Sequence, residues 1–293
     1  MTTVSPDRAL PPSQMLGNEA ADLILIEPRA RVSLGLGELW RHRELAWFLV
    51  LRAVKPRYRQ TVLGVGWAVV PPVAMMVVFS VFLNRFAGVP SESGIPYPIF
   101  SFSGLLAWQY FAVGATRGAG SLLGNAAFLT KIYFPRPLIP LSAVLAALFD
   151  LAIAFLVLVP LMAYYGYTPG WAALTLPAFV ALATAAALAV SLWIAAAGVQ
   201  YRDLGLAVPL LIQVWLFATP VAYPLSVFPD GWQTALLVAN PMATVVEGFR
   251  WALLGTGAVP GWPSAASAAL TLVAVLGGLL FFNRMERTYA DEI

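Results

Sequence analysis

Three stretches of this chain, Val62–Leu83, Trp171–Gln200 and Trp251–Asn283, contain no Asp, Glu, Lys or Arg. A helix needs about 20 mostly apolar residues to cross a bilayer, and each stretch is long enough. A soluble core helix rarely needs that length, and the strands of a membrane barrel would alternate apolar and polar positions in short segments. Hydropathy predicts six helical spans, at residues 62–83, 99–122, 138–164, 171–199, 205–226 and 264–283. The expected fold is an all-α membrane protein.

Two regions break the pattern. From Leu34 to Arg52 the polar residues Glu38, Arg41, His42, Arg43 and Glu44 sit together, while Leu36, Leu39, Trp40, Trp47, Phe48 and Leu51 fall largely on one side at helical spacing. Such a helix lies in the membrane interface rather than crossing it. Lys55-Pro56-Arg57-Tyr58-Arg59 should then end it, because proline disfavours helix at the residue before it. The second region is the fifth span, interrupted by Pro220, Pro224 and Pro229 and followed by a semi-apolar stretch, residues 231–262. It reads as a broken hairpin re-entering the membrane before the last span, since Trp251, Ala252, Leu253 and Leu254 are too apolar for a plain external loop. Irregular backbone at that depth is tolerated where protein or a water-filled cavity surrounds it. The implied organisation is a polar cytoplasmic tail (1–33), an interface helix with a basic elbow (34–61) and a six-helix domain (62–293).

Charge orients these elements. Nine Lys/Arg precede Gln60, and Lys131, Arg136, Arg202, Arg284 and Arg287 fall in later segments of the same side, leaving Arg85, Arg117 and Arg250. By the positive-inside bias both termini are expected in the cytoplasm of a bacterial inner-membrane protein. The first 33 residues are polar and lack an apolar core, so they read as neither a signal peptide nor a span. Internal repeats with matching broken helices are absent. Gly114-x-x-x-Gly118 and Gly120-x-x-x-Gly124 offer close helix approach.

Candidate chemistry is sparse. The 293 residues include no cysteine and a single histidine, His42, so thiolate and all-histidine metal sites within one copy are excluded. Arg117 and Asp150, on antiparallel spans, come to similar depth at 1.5 Å per residue and can form an ion pair; Glu247 and Arg250 are spaced for another. No paired carboxylates, serine–base arrangement or phosphate-binding G-x-x-x-x-G-K-[ST] loop occurs, so an ATP-driven process needs a motor on another polypeptide. Arg52, Lys55, Arg57 and Arg59 form a basic elbow at headgroup level. It can be an ordinary anchor or a docking site for the diphosphate of a lipid-linked substrate, which guanidinium groups suit. Trp108, Tyr110, Phe111, Trp215, Phe217 and Tyr223 are either interfacial belt residues or faces on which sugar rings stack along a glycan path.

With these features in place, the chain resembles the ABC-2 family of polysaccharide export permeases, the membrane subunits of O-antigen, capsule and teichoic-acid exporters. The likeness runs from about residue 36 and is carried by Leu45 to Arg59, Tyr58-Arg-Gln-Thr-Val-Leu-Gly-Val-Gly-Trp67, Phe128-Leu-Thr-Lys-Ile-Tyr-Phe-Pro-Arg136, Tyr201-Arg-Asp-Leu204, Thr219-Pro-Val-Ala-Tyr-Pro224, Asn240-Pro-Met242 ahead of Phe249-Arg250, and Glu286-Arg-Thr-Tyr-Ala-Asp291. The resemblance implies a homodimer with two cytoplasmic ABC ATPase subunits, which would hold the ATP and magnesium; no cofactor is expected on this chain. It implies that Asn125 to Arg136 carries a coupling helix, with Phe128, Lys131, Tyr133, Phe134 and Arg136 against the ATPase. It also implies that the segment around 220–262 is the periplasmic gate and that spans one and five line the channel. The expected cargo is a lipid-linked polysaccharide such as an undecaprenyl-diphosphate-linked O-antigen. The alternatives are a teichoic-acid, capsule or drug exporter of the same fold, or a membrane enzyme acting on lipid-linked sugars.

Overall fold

The structure, a computed structural model, describes residues 36–59, 64–92, 94–124, 134–201 and 203–290, of which 36, 56–59, 199 and 286–290 are described by their backbone alone. Every regular element among the described residues is helical. In chain order these are α1 (Leu36–Arg41), α2 (Arg43–Arg59), α3 (Val70–Val78), α4 (Tyr97–Gly124), α5 (Leu138–Tyr165), α6 (Leu176–Gln200), α7 (Leu204–Phe217), α8 (Asp230–Ala239), α9 (Pro241–Leu254) and α10 (Trp262–Ala290). Three helical stretches, Leu138–Tyr165, Trp171–Gly198 and Trp262–Met285, are long and apolar enough to cross a membrane; Val70–Phe86 and Leu204–Phe217 are shorter and apolar.

α4 is the centre of the bundle and packs on α3, α5, α6, α7 and α9. Its composition explains the position. Lipid tails are as apolar as leucine, so burial among helices gives little hydrophobic gain; exposing polar groups to lipid is what costs. α4 carries Ser101, Ser103, Gln109, Thr116, Arg117 and Ser121, and most of its length is buried. The three lipid-crossing stretches, by contrast, bury only 33–44% of their most apolar windows. Small residues let neighbours close on α4. A Cβ at Gly118 would collide with the Ser191 side chain, and one at Gly114 would touch Ala187 and Val144. Gly120 and Gly124 face open space, so only the first small-residue pair packs inside the protomer.

Four details differ from the sequence expectation. α2 continues through Pro56 to Arg59; within one turn of the helix end, the missing proline N–H removes a single bond. The apolar side of α1–α2 divides: Leu39, Leu45 and Leu49 pack on the bundle, whereas Trp40, Trp47 and Phe48 are exposed. Beyond Val78 the first apolar helix unwinds into a π segment, Phe79–Phe86, which hydropathy cannot reveal. The fifth apolar helix stops at Phe217, well short of residue 226, and an irregular stretch runs from Ala218 to Pro224.

Candidate functional site

Asn240 begins the main polar centre. It caps α9 by accepting from Met242 N at 3.1 Å, and Pro241 follows at the first helical position, where no amide donor is lost. The same side chain accepts from Trp215 Nε1 at 3.2 Å and donates to Thr219 Oγ1 at 2.9 Å and to Ala218 O at 3.3 Å. One amide therefore ties α7, the irregular segment and α9 together.

Two to three turns along α9 lies an ion pair shut inside protein. Arg250 Nη1 meets Glu247 Oε1 at 2.8 Å, with the two side chains 0% and 1% exposed. The guanidinium also donates to Pro220 O and Val221 O, both at 2.7 Å, and lies 3.7 Å over the Phe100 ring. Tyr97 donates its hydroxyl to Ala222 O at 2.6 Å, so three consecutive carbonyls of the irregular segment are held. Glu247 spends its second oxygen on Ala258 N at 3.1 Å. Glycine is needed nearby: Gly257 has φ +94, and a Cβ there would meet Glu247 O at 2.9 Å. Two buried atoms of the cluster, Arg250 Nε and Glu92 Oε2, have no hydrogen-bond partner among the described residues. Glu92 lies on the loop before α4 within electrostatic reach of both charges. Burial first, then the Glu247 charge, push its carboxyl above the usual range, and Arg250 offsets part of that.

A second centre faces open space. A cleft of about 570 Å³ runs between α3 and α7 with α4 as its floor, lined by Pro71, Met75, Trp108, Gln109, Arg117 and Gln213 among others. Arg117 pairs with Asp150 of α5 at 2.9 Å, the side chains being 37% and 16% exposed. The sequence spacing brought these two residues together on paper, and the structure places them in contact.

The aromatic set divides. Trp108, Phe111 and Trp215 form a three-ring cluster with centroids 5.1–6.4 Å apart. Within it Phe111 is 0% exposed, and Tyr110 is buried with its hydroxyl 2.6 Å from Thr184 Oγ1. Neither offers a ring face to a passing sugar in this conformation; both serve packing. Phe217 points outward, and Tyr223 donates to Phe217 O at 2.7 Å, bracing the end of α7.

At the α2 side, Arg52 and Lys55 are exposed, and Arg52 borders a small cavity with Leu49, Ser121 and Ser142. The side chains of Arg57 and Arg59 lie outside the described residues, as do Phe128, Lys131 and Tyr133. Phe134 differs from expectation: its ring is buried with Leu49, Leu138 and Ile139, so it packs inside the chain. Arg136 is half-buried.

The ABC-2 type transporter profile matches residues 44–254, from α2 to the end of α9. The chain belongs to the ABC-2 type transporter family. As an ABC-2 permease it is a multi-pass membrane protein and a transporter's membrane subunit rather than an enzyme. It is 31% identical over 258 residues to the O-antigen export system permease protein RfbA of Myxococcus xanthus, covering 87% of this chain and 98% of that one. A Klebsiella pneumoniae protein of the same name is 26% identical over 89% of this chain and 98% of its own length. The polysialic acid transport protein KpsM of Escherichia coli is 25% identical over 81% of this chain and 92% of its own. Within this ABC-2 permease, the segment Thr219–Pro224 is hydrogen-bonded both to Asn240 at the start of α9 and to Arg250 further along it. Sequence reasoning assigned no part in this to Asn240, Tyr97 or Glu92. The Asn-Pro pair was a readable helix-start signal; the long-range partners of Tyr97 and Glu92 left no local trace.

Proposed function

We propose that this chain is the membrane subunit of an ATP-driven exporter that moves a lipid-linked polysaccharide, an undecaprenyl-diphosphate-linked O-antigen, across the bacterial inner membrane. The observation that carries this reading is the near full-length correspondence with an O-antigen export permease. The cleft between α3 and α7 supports it, because a mostly apolar wall interrupted by the amides of Gln109 and Gln213 and the guanidinium of Arg117 gives a sliding glycan a few polar contacts on a weakly adhesive surface. In this reading α3 together with the π segment after it, α4, α5, α6, α7 and α10 are six spans with both termini cytoplasmic, and α8–α9 is a re-entrant periplasmic hairpin. The protein works as a homodimer with two copies of a separate ABC ATPase, which binds ATP and magnesium. The segment from Asn125 to Arg136 docks on that ATPase through Lys131 and Arg136. Arg52, Lys55, Arg57 and Arg59 receive the substrate's diphosphate at the cytoplasmic face.

The test is co-purification with the ATPase, followed by ATP hydrolysis measured with and without lipid-linked glycan. Stimulation by the glycan is expected, and reversing the charges of Lys131 and Arg136 together abolishes it while the permease stays folded. Unchanged coupling in that double variant removes the docking assignment. A second reading, a capsule-type exporter, is favoured by the likeness to the polysialic acid transport protein. Comparing the two glycan classes as stimulators separates them.

A further inference from the structure

The cation at Arg250 is fully buried, and two of its contacts are carbonyls of Pro220 and Val221 in an irregular segment. Any movement of that segment strips two charge-assisted bonds from a guanidinium with no access to water, which makes the moved state rare unless other acceptors replace them. Glu247 is already engaged on both of its oxygens: one holds Nη1 and the other holds Ala258 N. The remaining acid within reach is Glu92, whose buried Oε2 lacks a partner, as does the Nε edge of Arg250. Glu92 sits on the loop between the π segment and α4, where its own carbonyl accepts from Ile95 N at 3.0 Å and Ser91 Oγ donates to Ile95 O at 2.7 Å, so the backbone is held and an exchange falls to the side chains. The cluster thus contains a donor and an acceptor that the observed arrangement leaves unused, next to bonds that must break for the segment to shift.

We propose that Glu92 is an alternative partner for Arg250: as the Pro220–Val221 carbonyls depart during opening, the guanidinium turns its Nε edge onto Glu92. Opening becomes an exchange of partners in place of the uncovering of a bare charge. Glu92 is a positioning residue for the open state. The inference rests on reading α8–α9 and the Ala218–Pro224 segment as the exporter's gate.

The chain has no cysteine, so Ala222→Cys places a unique thiol on the clamped segment, where Ala222 is 6% exposed at rest. The permease assembled with its ATPase in lipid nanodiscs is treated with a maleimide, without ATP and then with ATP and lipid-linked glycan, and labelling of the permease chain is followed by mass. Ser226→Cys, exposed at rest, reports labelling unrelated to opening, and Tyr223→Cys substitutes if a thiol at 222 disturbs folding. Labelling at 222 is expected to accelerate during turnover. Glu92→Gln should reduce that acceleration roughly tenfold, the effect of one charge-assisted hydrogen bond, with resting labelling and folded yield unchanged. Glu92→Asp should restore most of it, which a merely structural role does not predict. Equal acceleration in wild type and Glu92→Gln overturns the exchange and leaves the gate standing. No acceleration in the Glu92 parent, while glycan still stimulates ATP hydrolysis, overturns the gate reading and the exchange with it.

Discussion

Arg250–Glu247 and Arg117–Asp150 are the same chemistry in two settings. Each joins an arginine to a carboxylate within the helical bundle, at 2.8 and 2.9 Å. The first is sealed: carbonyls, an aromatic face and a backbone amide satisfy nearly every polar atom, and the pair sits where three distant segments meet. The second borders the cleft, with the Arg117 side chain 37% exposed. The difference shows that surroundings, more than charge or distance, decide what an ion pair in this bundle does. A sealed pair fastens chain segments, and breaking it strands a charge. A pair on an open cleft wall keeps its outer edge accessible.

That contrast can be tested from its strong end. Arg250→Ala should destabilise the permease by about 3–5 kcal/mol, because Glu247 is left buried and uncompensated; the loss is read as folded yield and thermal midpoint in detergent. A midpoint close to wild type would mean the cluster is not a fastener. Asn240→Ala comes next, at about 1–3 kcal/mol, for loss of a helix cap and stranding of Thr219 and Trp215. At the cleft, a double-mutant cycle on Arg117→Ala and Asp150→Ala should give a coupling of about 0.5–1.5 kcal/mol in the same assay, smaller because the pair is partly solvated. A coupling as large as the Arg250 effect would erase the distinction between the centres.

The smallest effect concerns pH. The carboxyl of Glu92 is raised above its ordinary 4.5 in the folded chain, so the folded state holds its proton more tightly than the unfolded one. A penalty is therefore present above the folded value and is relieved as pH falls through it, fully so below 4.5. The thermal midpoint of wild type relative to Glu92→Gln should rise over that descent. A flat difference removes the assignment.

Much of the fold was legible because it depends on local composition. Uninterrupted apolar runs gave α5, α6 and α10, and Pro220 and Pro224 marked where α7 gives way to irregular backbone. The Arg117–Asp150 contact was readable because antiparallel spans of known rise bring equal depths together. What stayed hidden depended on distant partners or on exact helix geometry. Tyr97 and Ala222 are 125 positions apart, and nothing in either neighbourhood names the other. Phe111 and Tyr110 looked like candidate sugar platforms because hydropathy cannot separate a ring facing a path from one facing a neighbouring helix. At Phe79–Phe86 the polar residues Ser80, Asn84 and Arg85 read as the polar end of a span, and nothing in them marks a π turn.

The clamp at Pro220 and Val221 grips main chain, not side chains. A fastener of this kind is blind to the decoration around it. Exposed or half-exposed positions just beyond it, such as Tyr223, Ser226 and Val227, can be exchanged without loosening the hold of Arg250. The surface around the clamp can therefore change its chemistry while the hardware beneath it stays the same.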